Sequence, residues 1–129
     1  MAPQVLARRS LRILLLLLIV AAASAHEAGL AQDQERREFS ITARRFEFSP
    51  PRIEVVQGDI VKITLVAEDI PHSFTLADYR IAKRAAPGSP VTFEFRADRV
   101  GTFPWFCNLT IDDGCRQMRG EFVVIPRRP

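Results

Sequence analysis

From Phe39 onward the apolar residues of this chain recur at every second position in short stretches, and nothing after the N-terminal segment holds a convincing apolar period of 3.6. Period two sends alternate side chains to opposite faces of a strand, so the pattern specifies sheets and leaves little room for helices. Phe39, Ile41 and Ala43 alternate with Ser40, Thr42 and Arg44, and Phe46 and Phe48 extend the series. Pro50-Pro51 breaks it. Ile53 to Val56 makes a second short strand, and Gln57-Gly58-Asp59 turns the chain into Ile60 to Val66, where Val61, Ile63 and Leu65 share one face. Pro87-Gly88-Ser89-Pro90 precedes a strand from Val91 to Arg96, Gly101 opens another toward Phe106, and Arg119 to Ile125 closes the domain. Ala77 to Ala86 reads as a short helix or loop. About seven short strands between Pro and Gly turns predict an all-β sandwich of two antiparallel sheets. Phe39, Phe46, Phe48, Phe93, Phe95, Phe103 and Phe122 are the expected core fillers.

The 129 residues give room for one domain, and residues 1–25 are expected to be an address rather than part of it. Arg8, Arg9 and Arg12 form a positive region, Ile13 to Val20 an unbroken apolar core, and Ala23-Ser24-Ala25 a small-residue cleavage signal. The apolar run is short for a membrane span, so no stable span is expected after cleavage, and the Leu-rich core suits the general secretory route better than twin-arginine export. Residues 26–38 read as a flexible charged leader, 39–126 as the folded domain and 127–129 as a tail. The chain has 18 basic and 15 acidic residues, and removing the three signal arginines leaves 15 against 15. The exported form is therefore near neutral, which gives no case for nucleic-acid binding, and a monomer in the periplasm or another extracytoplasmic space is expected.

Four side chains carry the chemistry. His72 supplies an imidazole, Cys107 and Cys115 two thiols, and Met118 a thioether. Soft sulfur with one nitrogen donor selects copper over harder metals. Strands fix His72 and Cys107, while Asn108 to Gly114 must fold back as a loop to deliver Cys115 and Met118. If cleavage falls after Ala25, His26 and the new amino group offer a second, less organised chelating pair. Trp105 is read as a packing residue, and Asp112-Asp113 as an exposed turn.

The order of fragments is itself informative. Phe-x-Phe-x-Pro is followed by Val-x-x-Gly-Asp-x-Val, His-Ser-Phe, Pro-Gly-x-x-x-x-Phe-x-Phe, Gly-Thr-Phe-x-x-Phe-Cys and Met-Arg-Gly-x-x-Val-Val. In this order the chain resembles the cupredoxins, and among them the copper domain of cytochrome c oxidase subunit II and small periplasmic EfeO-type cupredoxin-like proteins. The likeness runs from Phe39 to Ile125 and implies a Greek-key β-sandwich with copper at one end. His72, Cys107 and Met118 match the family's ligand positions. Ile111 stands where the oxidase pattern has its second bridging cysteine, and Cys115 where it has its downstream histidine. A dinuclear centre is therefore not expected, and the resemblance implies one copper ion on His72, Cys107, Cys115 and Met118, used in electron transfer or copper handling with a redox or copper-delivery partner protein. Two thiolates on one ion favour the cuprous state, so an ordinary blue site is not expected.

A second reading stays open. Ligands around one tetrahedral metal lie about 3 to 4 Å apart, and two cysteine sulfurs so placed close to the roughly 2.05 Å of a disulfide with a small loop shift. An oxidising compartment favours that closure. The chain is then a metal-free interaction module with a Cys107-Cys115 bridge. Neither reading makes it an enzyme: no nucleophile elbow, phosphate-binding glycine loop or paired-carboxylate arrangement is present, and two histidines leave few general acid-base candidates.

Overall fold

The computed structural model describes residues 34–129, so the expected signal segment, most of the expected leader and His26 lie outside the described residues. Nine strands follow in order: β1 (Arg36–Arg44), β2 (Glu47–Ser49), β3 (Arg52–Val56), β4 (Ile60–Ala67), β5 (His72–Leu76), β6 (Ile81–Ala85), β7 (Val91–Arg96), β8 (Gly101–Phe106) and β9 (Arg119–Ile125). They form a four-stranded sheet in the order β2-β1-β4-β7 and a five-stranded sheet in the order β3-β9-β8-β5-β6. The all-β sandwich expected from the period-two pattern is the fold observed. Two pairs, β1 with β4 and β3 with β9, run parallel, so the sheets are mixed rather than purely antiparallel.

Strand β4 shows the sequence logic most plainly. Val61, Ile63, Leu65 and Ala67 are buried while the residues between them are half-buried. From the other sheet Phe74, Trp105 and Phe122 close the core, each fully buried. The Phe74 and Trp105 rings lie 5.2 Å apart, and Phe48 meets Trp105 edge-on at 6.0 Å. Such ring pairs add to the hydrophobic gain of burial. Trp105 fits only because Gly120, opposite it on β9, has no side chain: a Cβ there would lie 2.1 Å from the indole.

The details differ from expectation in four places. Ala77 to Ala86 is a 3₁₀ turn (Ala77–Tyr79) followed by strand β6, because the edge of β5 is completed by pairing His72 with Ala85 through Leu76 with Ile81. Strand β1 begins at Arg36, inside the segment read as leader, since Arg36 and Arg37 pair with Ile60 and Val61. In the segment read as tail, Arg127 donates to the buried carboxylate of Asp59 at 2.7 Å and to the Gln57 carbonyl oxygen at 3.0 Å. Phe46 is 41% exposed rather than core, because it sits in the turn between β1 and β2. Its ring instead covers Gly114, where an added Cβ would lie 2.4 Å from the ring.

Candidate metal centre

One end of the five-stranded sheet gathers the predicted donors. His72 opens β5, and Cys107 follows the last residue of β8. The two strands are antiparallel neighbours with Thr75 opposite Phe106. Alternation puts His72 on the face of Phe74, and Cys107 on the face of Trp105. Because Phe74 and Trp105 meet in the core, imidazole and sulfur share the inner face of adjoining strands. The Ser73 N–H donates to Cys107 Sγ at 3.3 Å. Ser73 Oγ and Asn108 lock the same crossing, with Asn108 N–H donating to Ser73 Oγ at 2.8 Å and Ser73 Oγ donating to Asn108 Oδ1 at 2.7 Å.

The loop after Cys107 returns through Asp112, whose Oδ1 accepts the Gly114 N–H at 2.9 Å. It ends in a 3₁₀ turn over Cys115–Gln117, closed by the Met118 N–H on the Cys115 carbonyl oxygen at 3.1 Å. This fold-back brings Cys115 to Cys107, and the two form a disulfide with Cα atoms 5.1 Å apart. Of the two readings left open by the sequence, the structure holds the bridge. In this state neither cysteine is a thiolate, so neither can serve as a metal ligand as the copper reading requires. Among the described residues no group of three or more His, Cys, Asp and Glu side chains is placed to hold a metal ion. Cys107, Cys115, Met118 and His72 are all at or below 1% exposure.

The imidazole carries the clearest chemical signal. His72 Nε2 lies 2.9 Å from Asp69 Oδ1. An ionised carboxylate can only accept, so Nε2 carries a proton, and in the neutral ring the lone pair then stands at Nδ1. That Nδ1 is buried and has no hydrogen-bond partner. Burial pushes the Asp69 carboxyl upward, but donation from Arg45 N–H, the His72 ring and Ile70 N–H outweighs it and holds the group down at about 2. A buried lone pair without a donor is costly unless something else binds it. Only with the bridge reduced would the buried imidazole, two thiols and thioether make a donor set suited to a soft metal ion. With the bridge closed, the donor set is incomplete and does not fit.

Sequence reasoning missed Asp69 and Phe46 as parts of this site. The Asp69-Ile70-Pro71-His72 spacing was the available signal for the first. Trp105 packs, as expected, and Asp112 and Asp113 turn the loop, with Asp113 paired to Arg116 at 2.6 Å.

Comparison with known proteins agrees with this anatomy. A family model described as cupredoxin-like domain matches residues 12–124. Cytochrome c oxidase subunit 2 of Thermostichus vulcanus is 36% identical over 84 residues, which is 60% of this chain and 25% of that relative. The chain thus spans about a quarter of the curated relative it matches. The periplasmic domain of subunit II of cytochrome oxidase of Bradyrhizobium japonicum superposes with TM-score 0.63 at 15% identity, over 70% of this chain and 84% of that one. A mixed-disulfide intermediate of such a subunit II domain with a thioredoxin-like protein superposes at 0.60 and 15% identity, over 70% and 82%. Auracyanin A, a blue copper protein of Chloroflexus aurantiacus, gives 0.58 at 15% identity, over 70% and 99%. At these identities the superpositions speak for the fold alone. The family model spans most of the chain and meets a β-sandwich whose histidine strand and cysteine strand adjoin at one end: this chain belongs to the cupredoxin-like domain family.

Proposed function

We propose that this chain is an extracytoplasmic copper-handling module that binds one cuprous ion after its Cys107-Cys115 bridge is reduced, with the closed bridge as the metal-free resting state. The observation that carries this reading is His72 Nδ1, buried and unpartnered on a ring whose other nitrogen is held by Asp69. His72, Cys107, Cys115 and Met118 are the ligands in this reading. Bound copper would supply one-electron chemistry or a cargo for transfer. Everything else belongs to the chain: Asp69 orients the imidazole, Ser73 N–H supports Cys107 Sγ, and the sheet end excludes water. Opening the bridge takes two electrons and two protons, delivered by a protein dithiol that becomes a disulfide in turn. The mixed disulfide known for a protein of the same fold supports a thioredoxin-like partner of that class. We assign the chain no catalytic turnover of its own. Its match to an oxidase subunit and to a periplasmic domain supports an extracytoplasmic place.

A second reading rests on the bridge itself: the domain works permanently closed, as a metal-free interaction module. Metal analysis after anaerobic loading with Cu(I) separates the two. The reduced protein is expected to retain one copper per chain, the oxidised protein none, and Cys107→Ser and His72→Ala less than the parent. No retained copper in the fully reduced parent favours the closed module. Voltammetry then sorts electron transfer, which cycles reversibly, from delivery, which holds Cu(I) without cycling.

A further inference from the structure

Asp69 touches more than the imidazole. Its Oδ1 accepts from His72 Nε2 at 2.9 Å and from Ile70 N–H at 2.7 Å, while its Oδ2 accepts the Arg45 N–H at 2.8 Å. Arg45 immediately precedes Phe46, and the Phe46 ring rests on Gly114, the residue before Cys115. Only a glycine admits the ring there, because a Cβ would lie 2.4 Å from Phe46 Cγ. A single carboxylate therefore stands between the ring at one side of the site and the cover over the sulfur loop at the other.

We infer that Asp69 is a positioning residue with two tasks, fixing the His72 tautomer through one oxygen and holding the Phe46 turn over the cysteine loop through the other. Hydrogen-bond chemistry gives the first task its direction, since a carboxylate beside Nε2 can only accept and so selects Nε2 as the protonated nitrogen of the neutral ring. Burial gives the second, since both cysteines are only 1% exposed and a reductant reaches them through local opening. The two tasks share one anchor, so orientation of the imidazole and access to the bridge are set together. The inference rests on the copper reading only where His72 is taken as a ligand; the bridge between ring and turn stands without it.

The test uses the metal-free, disulfide-closed protein. Ring ¹⁵N shifts report the His72 tautomer, and the rate of bridge reduction by tris(2-carboxyethyl)phosphine reports access. The parent is expected to show the Nε2–H form. Asp69→Asn has one oxygen for donors on both sides, so its amino group meets either Nε2, where the ring is expected to switch to Nδ1–H, or the Arg45 N–H, where the turn is expected to loosen and reduction to speed up. Phe46→Ala is expected to speed reduction several-fold with the tautomer unchanged, and Asp69→Ala to speed it similarly. A parental tautomer together with a parental reduction rate in Asp69→Asn overturns the shared anchor, and an unchanged Nε2–H ring in a folded Asp69→Ala overturns the first task. Reduction at the parental rate in Phe46→Ala, or in a folded Asp69→Ala, overturns the second. Should Asp69→Ala fail to fold, Asp69→Asn and the exposed Phe46→Ala still decide: a parental tautomer and rate in the first, or a parental rate in the second, overturns the proposal. Cu(I) affinity of the reduced proteins is read separately: Asp69→Ala is expected to bind about 10- to 100-fold more weakly, the usual effect of losing a ligand's supporting partner. Unchanged affinity beside a switched tautomer removes His72 from the ligand set and leaves the Asp69 bridge intact.

Discussion

Gly120 shows how far a single residue governs this sandwich. Its missing side chain is the space into which the Trp105 indole packs, at 2.1 Å from where a Cβ would stand. Trp105 is fully buried between Phe48 and Phe74 and has no room to retreat. Gly120→Ala is therefore expected to destabilise the domain by about 3 kcal/mol, the upper part of the usual overpacking cost; denaturant unfolding checks it, and a loss below about 0.5 kcal/mol, the scale of a neutral surface change, contradicts it. The candidate donors were easy to single out at this scale, because imidazole, thiol and thioether are rare in the chain and their chemistry is narrow. Asp69 was not, because acidic residues are common, and only the fold reveals which carboxylate turns toward a histidine. Phe46 misled for a related reason: its place in the alternation was right, but the turn between β1 and β2 lifts it out of the core and onto Gly114.

At the scale of elements, the loop from Cys107 to Cys115 and the Tyr79 turn each make a measurable claim. The bridge closes a separation of 8 residues. Loop entropy gives such a link about 2 kcal/mol, so reduction is expected to lower unfolding stability by that amount in the absence of metal, measured by urea titration with and without reductant. Equal stability in both forms contradicts a bridge that constrains the unfolded chain. Tyr79 packs its ring against Phe95, Phe103 and Phe122 at 5.3 to 5.4 Å. Burial there pushes its phenol above the ordinary 10.0, against the opposing effect of the Arg99 N–H that donates to it. Above pH 10 the unfolded chain ionises this group first and the folded one later, so stability falls as pH rises through that region. Tyr79→Phe is expected to flatten the decline between pH 10 and the folded value, as thermal melts across that range will show. The strand pattern of β4, β7 and β9 was readable because one face is buried and the other is not. Strand β6 was not readable, since Ala82, Lys83 and Arg84 are all exposed at a sheet edge and its pairing is dictated by β5 rather than by its own alternation. Charged residues on such an edge also discourage pairing with another chain.

For the whole molecule, two sheets leave one end where β5, β8 and the returning loop converge, and that end holds every soft donor among the described residues. Among the described residues no helix is long and apolar enough to cross a membrane. Fold class followed from periodicity, because period two and Pro/Gly punctuation act along the entire chain. The state of the site did not follow, because the fold-back that would gather the four candidate ligands also brings two sulfurs within bonding distance, and the surrounding redox potential chooses between them. The most direct measurement is copper K-edge absorption on the anaerobically reduced, Cu(I)-loaded protein, beside His72→Ala. The proposed copper site predicts a cuprous edge with sulfur scatterers and one imidazole shell that vanishes in the variant. A spectrum with no imidazole contribution, or a reduced protein that takes up no copper to measure, contradicts it.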